Sequence, residues 1–467
     1  MSRLLRKASD QKYDFQGKFQ KFNLTENPFP SEPVVNKDSM DKRINGDIYE
    51  IEIRRKEYEQ IVNYFLTQPQ SDPNHLRLGY IIDTSYIGRG NGKSAFLVNL
   101  QQDINREYCL DISQNLNKCF AAYVTPEPGG RTKTFSSFVD FFFNAIVRTN
   151  VIDNCLATLK LEAINELYPE KHVPSEAADE ESLISNLNTR EWFAQEGIDL
   201  RRISDKIFQN NYLQELPAEF PLFKGRHSLL KPTISQKDFE QYYVTGIKKN
   251  REKLDFIFSH LVRFFQAAGF NGAYILVDDF ERIPDFQSAR QKKDFALELR
   301  SCLFDGLYIN ARIGFYNFLL VLHAGVPRLI SDAWAESGME NRAPISPITV
   351  SKHVIPFEKL SKDHASLLLQ KYLAEYRIDE RRPDKLFPFT KGAVSKIGEL
   401  SEYNAAKILK MAYGLLDKAS TVAEQTIIDE KFVTDSKGVH DDSSDEGLPK
   451  IEDAESVDLL QKARNEE

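Results

Sequence analysis

Apolar residues along this chain gather in short runs separated by stretches of helical spacing. LRLGYIIDTS, which starts at Leu76, has the length of a strand and leads into a glycine-rich turn and then the helical stretch SAFLVNLQQDINREY. A second run, CFAAYVT (Cys119 to Thr125), is followed by a Pro-Gly turn and an aromatic amphipathic helix from about Phe135 to Asn150. The pattern recurs at AYILVDD (Ala273 to Asp279), FLLVLHA (Phe318 to Ala324) and SKHVIPF (Ser351 to Phe357), with helical segments between. Five short apolar strands alternating with helices predict an α/β fold: a three-layer αβα arrangement around a five-stranded parallel sheet covered on both faces.

The segments around this core read differently. Residues 1–45 start basic and then become rich in turn formers (NLTENPFPSEP), which predicts an arm lying over a domain surface. Ile48 to Leu66 has helical spacing, ended by TQPQSDPNH. Between the second and third strands lie roughly 120 residues, far more than one crossover helix needs, so the α/β core at 46–357 carries a large helical insertion at about 152–250. Helical patterns at Lys362 to Tyr376, Ala393 to Leu400 and Asn404 to Lys418 predict a C-terminal helical lid at 358–420. Residues 421–467 read as an acidic, mostly disordered tail, the loss of apolar content being sharpest from Ser436.

Charge sharpens this division. The formal net charge is −8, yet 421–467 holds fourteen acidic and five basic residues, which leaves +1 for residues 1–420. The acidity belongs to the tail, so it does not argue against a nucleic-acid partner elsewhere. Within the insertion, 155–200 carries net −7 and 201–263 net +5, either as solvated helix faces or as a surface for a protein or nucleic acid that includes Lys248, Lys249, Arg251 and Lys253. No window approaches the roughly 18–20 apolar residues of a membrane helix, and MSRLLRKASDQKYDFQ has no apolar h-region. The four cysteines (Cys109, Cys119, Cys155, Cys302) form no C-x-x-C pair. Together these features predict a cytoplasmic protein with no membrane partner, disulfide framework or structural zinc.

Two strings carry chemistry. Gly88-Arg89-Gly90-Asn91-Gly92-Lys93-Ser94 follows a strand and opens a helix. Backbone N–H groups of such a turn cradle phosphate, a lysine there reaches the terminal phosphates, and the next hydroxyl ligates Mg²⁺. The expected phosphate contacts are Gly88, Gly90, Asn91, Gly92, Lys93, Ser94 and Ala95. The full pattern G-x-x-x-x-G-K-[ST] would put its first glycine at Ile87, one residue before Gly88. The second string, Tyr274-Ile275-Leu276-Val277-Asp278-Asp279-Phe280-Glu281, ends a strand in acid, at the rim where open α/β sheets bind ligands. Asp278 suits the Mg²⁺ shell, and Asp279 or Glu281 the orientation of an attacking water. His323, near the end of FLLVLHA, is either a satisfied buried histidine or a group that orients water or the γ-phosphate. Arg342, and less directly Arg328, is either a surface residue or a cation offered to a neighbouring subunit's nucleotide.

The order of phosphate loop, second strand, DD-ending strand, polar-ended strand and helical lid resembles the AAA+ and STAND group of P-loop ATPases. Origin-recognition-like, secretion-type and transposition-type members are the most similar. Phe22-Asn23-Leu24-Thr25-Glu26-Asn27-Pro28-Phe29 matches their F-x-L-x-x-x-P-F stretch, and INGDIYEIEIRRKEYEQI is similar to their R-x-x-E box, which helps seat adenine. DDFER is similar to the DD-x-D-R of STAND and KAP-type ATPases, without the membrane insertion of the latter. The resemblance implies ATP and Mg²⁺ as cofactors, Gly90, Gly92, Lys93 and Ser94 on phosphates and Mg²⁺, Asp278 on the metal, Asp279 on the hydrolytic water and His323 as sensor 1. It also implies a homo-oligomer, a remodelled protein partner and a setting in DNA transactions or phage defence. The lid motif G-N-x-R departs here: Tyr403-Asn404-Ala405-Ala406-Lys407 has alanine at the arginine position, with Lys407 about 100° further around the helix. Three activities are therefore expected in turn: a Mg²⁺-dependent ATPase, a nucleotide-dependent binding switch with little turnover, and a nucleic-acid-binding subunit.

Overall fold

The computed structural model describes residues 17–84, 89–127, 129–171, 180–224, 226–231, 233–323, 326–345, 351–381 and 383–436. They divide into two compact units, one drawn from Met1–Arg55, Asp83–Asn99 and Phe357–Glu467, the other from Lys56–Ile82 and Leu100–Pro356.

The second unit holds the sheet, apart from the strand-end residues Asp83 and Phe357, which are counted with the first. Its strands are β1 (Leu78–Asp83), β2 (Cys119–Val124), β3 (Gly272–Val277), β4 (Tyr316–Leu322) and β5 (Val354–Phe357). They run parallel in the order β2-β3-β4-β1-β5. All residues of β1, β3 and β4 are buried, as strands covered on both faces must be. Registers pair Val124 with Val277, Val277 with Leu320 and Ile82 with Leu322. The three strands whose C-terminal ends lead to the expected chemistry, β3, β4 and β1, are thus consecutive. At Gly79 a Cβ would overlap the ring of Phe65, so glycine there lets that ring lie on β1.

Aromatic packing covers one face. Helix α2 (Phe135–Val147) follows α1 (Lys93–Arg106) and starts with a capping box between Thr134 and Ser137. Phe135, Phe138, Val139, Phe142, Phe143 and Ile146 recur at helical spacing and are all buried. Phe142 meets Tyr316 edge-on at 5.0 Å and Phe318 at 5.8 Å. The insertion continues this core: Leu156, Leu159, Leu213, Phe220 and Phe239 belong to the same apolar cluster, while Ile164, Leu187, Phe193 and Ile203 form a smaller one. It is mostly helical, but Phe223–Lys224 pairs antiparallel with Arg226–Leu230. Its first strand has two residues and its second, RHSLL, is apolar only at its end, so neither offers an alternation to read.

The first unit is helical, with α3 (Lys362–Glu375), α4 (Lys391–Leu400), α5 (Ala405–Thr421) and α6 (Glu430–Asp435). The C-terminal helices match those expected of a lid. The N-terminal stretch was expected over a surface, but Phe19, Phe22, Leu24 and Phe29 are buried in the same core as Leu369, Leu373, Ile408 and Leu416. Its backbone is tied there as well: Thr25 N–H donates to Tyr376 and Ile378 N–H to Asn23. Residues 421–436, assigned by composition to the tail, also pack, with Ile428 and Val433 buried. Two well-spaced aliphatic side chains suffice to anchor a short helix that a composition average hides. Residues 437–467, the rest of the expected tail, lie outside the described residues. Among the described residues no helix is long and apolar enough to cross a membrane, and Cys109, Cys119, Cys155 and Cys302 are free and buried.

Candidate functional site

The glycine-rich loop belongs to the first unit. Gly90 and Gly92 have φ of +99° and +84°, backbone that side chains rarely adopt. They serve different ends. A Cβ at Gly90 would come within 2.7 Å of the Ala406 Cβ and 2.8 Å of the Asn404 Oδ1, whereas a Cβ at Gly92 would meet nothing within 4 Å. Gly90 is where the loop is stapled to α5, and Gly92 faces open space. The staple is made of two bonds: Ala406 N–H donates to the Gly90 carbonyl (3.0 Å) and Asn404 Nδ2 donates to the Arg89 carbonyl (2.8 Å), while Asn404 Oδ1 caps α5 by accepting from Lys407 N–H (3.1 Å). Ala406, where the resembled family carries arginine, is small because the loop passes against it.

Asn91 anchors the other side. It is buried, and its Nδ2 donates to the Glu358 carbonyl at 3.0 Å. Arg54, also buried, donates from Nη2 to Asn91 Oδ1 (3.1 Å) and the Glu358 carbonyl (2.9 Å), with its guanidinium 4.4 Å from the Phe357 ring centre. The Asn91 side chain thus holds the loop's shape. Lys93, the first residue of α1, directs Nζ to Asp83 Oδ2 at 2.6 Å, with the side chains 6% and 4% exposed. Ser94 and Ala95 follow, half-buried, and Gly88 lies outside the described residues, as does the side chain of Arg328.

The carboxylates lie in the second unit. Asp278, just past β3, is buried, with its N–H on the Val124 carbonyl at 2.9 Å. Its Oδ2 accepts from the Tyr123 hydroxyl at 2.7 Å, and burial beside this carboxylate pushes the phenol's pKa well up, so the tyrosine remains a donor. Asp279 adopts φ +46°, ψ +44°, a left-handed turn into the short helix Phe280–Arg282. The turn brings Glu281 back beside it. His323 Nε2 lies 2.9 Å from Glu281 Oε1 and 3.8 Å from Asp279 Oδ1, while Arg282 Nη2 reaches Asp279 Oδ2 at 2.5 Å. Glu281 is buried, whereas Asp279 and His323 are about one-fifth exposed, at 20% and 22%.

The chain matches no family model, no curated protein and no solved structure. Its architecture is a P-loop or Rossmannoid-like α/β fold with helical insertions, compatible with nucleotide-binding enzymes in general.

The expected residues thus fall into two groups. Gly90, Asn91, Gly92, Lys93, Ser94 and Ala95 belong to the loop unit, and Asp278, Asp279, Glu281 and His323 to the sheet unit. Arg342 joins neither group; it is exposed in a turn after Met339, whose carbonyl accepts its N–H. In the basic half of the insertion, Lys249 and Lys253 are engaged by Glu252 (2.9 Å) and Asp140 (3.0 Å). Asp83 and Tyr123 were not singled out by sequence, whereas Arg54 and Asn404 lay in the stretches likened to the R-x-x-E box and the lid motif. Asp83 had a visible signal, since it ends an apolar strand as Asp278 follows one; the others are paired only through folding.

Proposed function

We propose that this protein is a Mg²⁺-dependent ATPase of the AAA+ or STAND kind, whose nucleotide state alters its helical lid, its insertion or its contacts with a partner complex. One observation carries the reading: a glycine-rich turn with two left-handed glycines, placed between a buried parallel strand and a helix that opens with Lys93. The open space at Gly92 and the unbranched cation at the helix start fit a phosphate chain, which backbone N–H groups and a helix N-terminus attract.

Gly90, Gly92, Lys93, Ser94 and Ala95 are assigned to phosphate contact, and Ser94 and Asp278 to Mg²⁺. When bound, Mg²⁺ supplies positive charge to the phosphate oxygens. Lys93 leaves Asp83 to reach phosphate, Asp279 or Glu281 orients water, His323 positions that group through Glu281, and Arg342 stabilises phosphoryl charge in a neighbouring copy of the chain. The resemblance further suggests a cytoplasmic role in DNA transactions or antiviral defence, with the basic half of the insertion as a nucleic-acid surface. Equilibrium binding of ATP tests the reading. It requires binding that is lost in Lys93→Ala, and equally in Asp83→Asn/Lys93→Ala, which also removes the charge that faced the lysine. A wild-type protein that does not bind ATP, or binds it undiminished in both variants, would overturn it.

A second reading, a binding switch with little turnover, is favoured by the Arg282 clamp on Asp279 and by Ala406 at the lid position. Single-turnover hydrolysis separates the two: ATP retained and converted slowly, at a rate unchanged in Asp279→Asn, selects the switch.

A further inference from the structure

We propose that Asp279, Glu281 and His323 form a binding site for a divalent transition metal, Mn²⁺ or Zn²⁺, distinct from the assignment of Mg²⁺ to Ser94 and Asp278 above. The inference goes beyond the nucleotide reading and does not depend on it. Two of the side chains come from the turn after β3 and the third from the end of β4, its neighbour in the sheet. One ligand atom from each lies within 4.8 Å of the other two.

The separations have the size of a coordination shell. Ligand atoms held about 2.1 Å from one ion stand about 3.0 Å apart at a right angle and about 3.4 Å apart at a tetrahedral one. His323 Nε2 is 2.9 Å from Glu281 Oε1 and 3.8 Å from Asp279 Oδ1, so these two pairs bracket both values, and the third lies within 4.8 Å.

The imidazole separates this group from an ordinary acidic patch. Mg²⁺ prefers an all-oxygen shell, whereas one neutral imidazole nitrogen with two carboxylates suits Mn²⁺ and Zn²⁺. The surroundings orient the donors: Arg282 binds the far oxygen of Asp279, leaving Oδ1 towards His323. Glu281 lies at the floor, and the partial exposure of Asp279 and His323 provides an entry path and room for water ligands. A cation here takes the carboxylate oxygens that the hydrolytic reading assigns to water, so an occupied site fits the binding switch with little turnover.

The test is titration of nucleotide-free protein with Mn²⁺, followed by loss of the free-ion electron paramagnetic resonance signal. Saturable binding of one Mn²⁺ per chain is expected, displaced by stoichiometric Zn²⁺ and not by millimolar Mg²⁺. His323→Ala should weaken it on the order of 100-fold or more, as should Asp279→Asn, which keeps the shape of the side chain should the first variant fold poorly. Asp83→Asn/Lys93→Ala should bind Mn²⁺ as wild type does, so failure of ATP binding and failure of metal binding are separate outcomes. Absence of saturable Mn²⁺ or Zn²⁺ binding in wild type, or an affinity unchanged in both His323→Ala and Asp279→Asn, would overturn the proposal.

Discussion

The loop unit and the sheet unit each bury charge at the end of a strand, and they balance it in opposite ways. At Asp83 and Lys93 one acid meets one base at 2.6 Å, both almost sealed from water. At Asp279, Glu281 and His323 two acids share one arginine and an imidazole, with two of the side chains partly open. The first is a closed pair, and a ligand must break it to recruit the lysine. The second is partly open to solvent, as the proposed cation site requires. Burial of a charged pair therefore does not by itself mark a place where a ligand enters; the access to it does.

The largest expected effect is at the sealed pair. Lys93→Met removes the base that meets the buried Asp83 and should cost about 3–5 kcal/mol, whereas Asp83→Leu/Lys93→Met should recover most of the loss. A double-mutant cycle by chemical denaturation checks this, and additive losses would show that the two side chains are not coupled.

Lys160 in the insertion is a third case. It is buried, and its Nζ donates to the Leu187 carbonyl (2.8 Å) and Asn188 Oδ1 (3.3 Å) rather than to a carboxylate at that distance. Burial lowers its pKa to about 8, partly opposed by Asp153. Between that value and the ordinary 10.5 the unfolded chain binds more protons than the folded one, so stability rises with pH. Relative to Lys160→Met, the wild type should gain about 2–3 kcal/mol between pH 7 and 10, read from denaturation midpoints. A flat difference would mean that the carbonyl oxygens hold the ammonium as well as Asp83 holds Lys93.

The smallest effect is expected in the sheet unit. Tyr123→Phe removes the hydroxyl that donates to Asp278 and should cost about 1–2 kcal/mol by thermal or chemical denaturation. A larger loss would place Asp278 among the sealed charges with Asp83.

The fold was legible where period and burial agree. Buried runs such as LGYIID, GAYILV and YNFLLVL read directly as doubly covered parallel strands, and the Phe135 to Ile146 spacing as a helix. The strand order was not legible, because it depends on which crossover passes over which neighbour. Composition failed for Phe19, Phe22, Ile428 and Val433, whose burial arises from packing within a unit assembled from distant segments. Among the candidate site residues, the glycines, Lys93 and the Asp278–Asp279 pair could be read from order along the chain. The partners that set their states could not: Arg54 on Asn91, Asn404 on Arg89, Tyr123 on Asp278 and Arg282 on Asp279 are contacts of the folded chain. Asp83 stood in view at the end of β1, and only the geometry pairs it with Lys93.

The most direct test of the central claim is ATP affinity in the presence of Mg²⁺, measured by isothermal titration calorimetry on wild type, Asp83→Asn and Asp83→Asn/Lys93→Ala. If Lys93 must leave Asp83 to hold phosphate, Asp83→Asn should bind ATP about tenfold more tightly than wild type, a difference of about 1.4 kcal/mol, and the double variant should not bind. Equal affinity in all three would contradict the account, because the loop would then have no part in holding the nucleotide.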